Sequence, residues 1–143
     1  MSDAARRILL AILIVGIAGI SLELWLMAHT EDVYQLIPLW LAALGVIAIA
    51  TVALRPSGGT VRLFQAVMAL FLISGVVGAY LHFEVNMEFQ LEMDPALSGM
   101  ALYRKAILAK SPPALAPGAM IQLGLIGLAY TFRHPALERG RSA

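Results

Sequence analysis

Acids and imidazoles are few in this chain, and they gather. The stretch His82-Phe83-Glu84-Val85-Asn86-Met87-Glu88, with Glu92 and Asp94 close behind, follows an uncharged run from Leu63 to Leu81. A second group, His29-Thr30-Glu31-Asp32, closes the first apolar run, and Glu23 stands inside that run. Carboxylate and imidazole donors offered by facing helices are the ligand set for zinc, manganese or iron. The chemistry expected here is therefore the binding of a divalent cation, with Glu23 and His82 as core ligands. His29, Glu84 and Glu88 are the further ligands, and Asn86, Glu92 and Gln122 complete the candidate set.

The spacing carries that expectation. Gly16, Gly19, Glu23 and Met27 recur at helical intervals, as do Gly75, Gly78, His82 and Asn86. Each polar group thus shares a helix face with two small residues that permit close packing. An acid about five residues inside a span costs on the order of 2–3 kcal/mol facing lipid, so Glu23 is expected to turn toward protein or water. Gln122, one turn beyond Pro117-Gly118, is expected beside it in one outer cavity. Glu84, Glu88 and Glu92 lie at i, i+4 and i+8. They form one acidic face if the helix continues, balanced by a cation or by Arg104, Lys105 and Lys110.

Specific motifs are missing. No Glu-x-x-His pair of the di-iron bundles occurs, nor His-Glu-x-x-His. His29 and His82 could together ligate a haem, a reading that ranks behind the cation. There is no phosphate-binding glycine loop and no Ser-centred nucleophile elbow. No basic run interleaved with aromatics points to nucleic acid. Cysteine is absent, which removes disulfides and thiolate chemistry. The alternative to cation binding is a non-catalytic accessory subunit of a larger membrane complex, docking a basic partner through its acidic cap. A homodimer is the other expected assembly.

The elements that must hold these groups are membrane spans. The chain has 143 residues, 60% hydrophobic and 13% charged, with a mean hydropathy of +0.82. Ordinary soluble domains carry about 25% charged residues. A span needs about 20 apolar residues, and four stretches approach that: 8–28, 33–54, 61–83 and 114–132. These predict a single membrane domain over 1–143, an all-α integral membrane protein with four transmembrane helices in a bundle. The first span, too long for a signal peptide's apolar region, is read as retained. Between spans three and four, residues 84–113 form an outer loop. Asp94-Pro95 there offers a helix start, and "ALSGMALYRKAILAK" a short amphipathic helix lying at the interface. His134, at the inner boundary, is expected to meet a helix C-terminus and headgroups.

Charge sets the orientation. With both termini on one side, that side holds Arg6, Arg7, Arg55, Arg62, Arg133, Arg139 and Arg141, against Arg104, Lys105 and Lys110 on the other. The positive-inside rule then places both termini in the cytoplasm, in a bacterial-type inner membrane. Most acids fall on the opposite side.

Overall fold

The computed structural model describes residues 1–28, 33–109 and 115–139. Among them the chain is all-helical: α1 (Asp3–Leu26), α2 (Val33–Leu54), α3 (Gly58–Met93), α4 (Gly99–Ile107), α5 (Leu115–Tyr130) and α6 (Pro135–Arg139). Three of these, α1, α2 and α3, are long and apolar enough to cross a membrane. The fourth expected span is shorter than predicted. α5 has 16 residues, about 24 Å at 1.5 Å per residue, against a hydrocarbon core of about 30 Å.

Capping explains where the long helices begin. Ser2 accepts from the Ala5 amide and starts α1 ahead of the apolar run, so Arg6 and Arg7 are helical. Ser57 and Thr60 form a reciprocal capping box that starts α3 at Gly58, inside the stretch expected to be a loop. No breaker then occurs before Asp94-Pro95, and α3 runs for 36 residues. At about 54 Å it exceeds any bilayer core. The third span was expected to end at residue 83; the helix instead continues through Glu84, Glu88 and Glu92.

Asp94 therefore closes α3 rather than opening the next helix. α4 begins five residues later, after Ser98, and packs against the overrun of α3. Asn86 donates to the Ala106 carbonyl at 3.2 Å, Phe83 and Tyr103 meet at 4.9 Å between ring centroids, and Lys105 lies 3.9 Å from Asp94. The short helix expected in this connection is thus present, and it braces α3.

The core is a set of inward stripes. Leu13, Ile17, Ile20 and Leu24 on α1 face Gly45, Ala48 and Val52 on α2, Phe64, Met68 and Phe71 on α3, and Met120 and Leu123 on α5. α3 and α5 approach backbone to backbone. A Cβ at Gly124 would sit 2.7 Å from the Met68 carbonyl oxygen, and one at Gly75 would sit 2.6 Å from that of Pro117. Outward faces stay apolar: Leu54 is 80% exposed, Val33 75% and Trp40 69%. In water such a surface would aggregate; in a bilayer it meets acyl chains.

Contacts also set the direction of α5. Arg6, at the start of α1, donates to the Arg133 carbonyl at 2.8 Å, and Gln65, early in α3, donates to Thr131 at 3.0 Å. Pro117, at the other end of α5, packs beside Gly75 and Gly78. α5 therefore runs antiparallel to α1 and α3. Its last residues lie at the near end of the bundle, where α1 and α3 begin.

Candidate functional site

A cleft opens in the far half of the bundle, where α1, α2, α3 and α5 spread apart. Its volume is about 700 Å³. Most of its wall is aliphatic, from residues such as Ile20, Leu24, Ile37, Ile73, Val77 and Met120. Among the described residues, four with polar side chains line it: Tyr34, Gln35, Ser74 and His82. The local sequence accounts for the opening. Pro38, inside α2, has no N–H to bond the Tyr34 carbonyl, and Gly78 and Pro117 narrow the opposing helices. An apolar hollow with a few polar groups is the usual form of a small-molecule site, and its size lies within the common range of about 300–1,000 Å³.

Of the candidate ligands that lie among the described residues, only His82 lines this cleft; it is half-buried there. Glu23 does not turn inward. The buried stripe of α1 runs through Ile20 and Leu24, and one residue's rotation of about 100° leaves Glu23 exposed. Gly19, expected in the packed stripe, has open space around it; Gly16 alone meets Leu123. Gln122 is exposed as well, because Leu123 and Gly124 take the inward directions of α5. The expected outer cavity shared by Glu23 and Gln122 is therefore not formed; neither side chain lines the cleft.

His29, together with Glu31, Asp32 and Lys110, lies outside the described residues. Glu84, Glu88 and Glu92 are exposed, and Glu84 accepts a hydrogen bond from the Tyr80 hydroxyl at 3.1 Å. The basic residues of α4 do not fold back onto that acidic face as expected. Lys105 pairs with Asp94 instead. Asn86 is spent on the α3–α4 brace. Among the described residues, no three of His, Asp and Glu come together to hold a metal ion.

Tyr34, Gln35 and Ser74 were not legible as site residues. Polar residues near the ends of spans are common, and only the packing of α2 and α3 about one cleft brings these three to its wall. His134 is buried at 6% exposure, with Nδ1 accepting from the Ala136 amide and its ring 5.5 Å from that of Tyr130. It closes the near end of the bundle.

No protein-family model, no curated protein and no solved structure matches this chain.

Proposed function

We propose that this is a non-catalytic helical membrane protein that holds a small amphiphile in its far-half cleft: an apolar body with one hydrogen-bonding end. The observation that carries the reading is the composition of that cleft. Its walls are aliphatic, while Gln35, Ser74, Tyr34 and His82 supply donors and acceptors. The apolar body would be held by area, and the polar end would be oriented by these groups.

On this reading α5 crosses the bilayer as a fourth span, with local thinning accommodating its length. Both termini are then cytoplasmic, the cleft faces the outer leaflet, and the host membrane is of the bacterial inner type. The basic residues at the near end support that orientation.

The test is native mass spectrometry after gentle detergent extraction, comparing the wild type with Ser74→Leu, which fills the cleft. A retained non-phospholipid species below about 1 kDa, lost in Ser74→Leu, is expected from a site of this class. Retention of the same species in both proteins would end the reading. A metal near one equivalent per chain, lost on His82→Ala, would replace it with the divalent-cation reading.

A second reading, an accessory subunit of a larger membrane complex, is favoured by one specific observation. Glu23 and Gln122 both present polar groups on outward faces of apolar helices. Such groups are costly against lipid and are satisfied by a neighbouring helix offering a donor. Co-purification of a stoichiometric membrane partner, abolished by Glu23→Leu, is its signature.

A further inference from the structure

The near end of the bundle holds a second, smaller cavity of about 400 Å³, lined by Arg62, Gln65, Arg133, His134, Leu137 and Glu138. Arg62 and Gln65 stand three residues apart on the first turns of α3. Arg133 and His134 come from the turn after α5, and Leu137 and Glu138 from α6.

That turn is tightly fixed. Arg133 adopts a left-handed backbone, φ 49°, a conformation unfavourable for a non-glycine residue. It is held there from several sides. The Arg6 guanidinium binds the Arg133 carbonyl at 2.8 Å, and Gln65 binds Thr131 at 3.0 Å. The Ala136 amide binds His134 Nδ1 at 3.2 Å. The backbone that carries Arg133 to the rim of this cavity is thereby fixed.

Among the described residues, neither Arg62 nor Arg133 forms an ion pair. Among the described lining residues, two guanidinium groups and the Glu138 carboxylate sum to a formal charge of +1, with His134 counted neutral. That matches one phosphodiester, which guanidinium forks bind with two parallel hydrogen bonds. The Glu138 carboxylate, with the Gln65 carbonyl oxygen, suits a headgroup hydroxyl or ammonium.

The surroundings point to a lipid as the source. Arg133 lies over the Phe132 ring, 5.4 Å from its centroid, and that ring is 62% exposed on the outside of the bundle. An exposed aromatic beside a cation at the end of a span is the pattern of the interface between acyl chains and headgroups. Basic pockets between spans on the cytoplasmic side are known to take anionic headgroups. We propose that this cavity binds the phosphodiester of a membrane phospholipid, through Arg62 and Arg133.

The experiment is native mass spectrometry of the full chain in mild detergent, titrated with phosphatidylglycerol. Removing either guanidinium, in Arg62→Gln or Arg133→Gln, is expected to weaken retention about tenfold. Arg7→Gln, an exposed arginine at the same end but outside the cavity, is expected to leave it unchanged. Arg62→Lys keeps the charge without the fork, and an intermediate loss is expected from it. Thermal melting of each variant checks the fold. A second arm adds inorganic phosphate at millimolar concentration. Failure to displace the lipid identifies the headgroup as the ligand, whereas full displacement overturns the lipid assignment in favour of a soluble phosphate. Equal lipid retention by the wild type and the folded Arg62→Gln/Arg133→Gln double variant overturns the site itself.

Discussion

Arg6 is 8% exposed, and its guanidinium reaches the carbonyls of Met1, Phe132 and Arg133 at 3.1, 3.4 and 2.8 Å. It therefore sits where the C-terminal end of α5 is most negative. Its contact with Asp3, at 3.6 Å to a side chain 90% exposed, adds little, because water screens such a pair. Arg6→Gln should lower stability by about 2 kcal/mol, the scale of losing hydrogen bonds from a buried charged group. Thermal melting in detergent would read this as a lowered midpoint, with Asp3→Asn and Arg7→Gln unchanged. An unchanged midpoint for Arg6→Gln would mean that the guanidinium only fills space. Sequence alone gives Arg6 the role of a topogenic charge, since nothing in its neighbours marks it as buried. Glu23 shows the converse. Its spacing with Gly16 and Gly19 suggested an inward face, but Ile20 and Leu24 are bulkier and more apolar, and they take that face. Glycine periodicity identifies where helices could approach; the volume and hydrophobicity of the competing stripe decide where they do.

At the scale of elements, α3 and α5 are held by shape. No side chain can be inserted where Gly124 meets the Met68 carbonyl and the Leu72 amide, because backbone atoms cannot swing aside. Gly124→Ala should cost about 1–3 kcal/mol, the usual range for overpacking a close contact. Gly118→Ala, on the same helix with open space around it, should be neutral or stabilising by up to about 1 kcal/mol through helix propensity. Chemical unfolding of both variants checks the contrast, and equal stability would show that the two helices do not approach this closely. Element boundaries were legible where a breaker stands at the end of an apolar run. α2 occupies Val33–Leu54 as expected, since Arg55-Pro56 ends it. The end of α3 was not legible from hydropathy. A helix stops where its backbone loses partners or its propensity fails, and leaving the apolar region does neither. The sequence from Glu84 to Met93 consists of good helix formers apart from Val85, Asn86 and Phe89.

For the whole molecule, the parity of crossings is the property on which the proposed function rests. Three long spans would place the chain ends on opposite sides of a bilayer, whereas Arg6 and Arg133 are in contact. The proposed reading reconciles the two by having α5 return across the membrane, its 16 residues matched by local thinning or by snorkelling side chains. Because the chain lacks cysteine, the question is open to a clean measurement. Single cysteines at Ser2, Glu88 and Glu138, all exposed positions, can be probed in right-side-out and inverted vesicles with a membrane-impermeant thiol reagent. Ser2→Cys and Glu138→Cys should react only from the cytoplasmic side, and Glu88→Cys only from the other. That pattern would put the wide cleft toward the outer leaflet and the arginine-lined cavity at the inner headgroups, so the two sites would sample different leaflets. Labelling of Ser2→Cys and Glu138→Cys from opposite sides would mean that α5 does not cross. The contact between Arg6 and Arg133 could not then survive in the membrane, and both site assignments would fall with it.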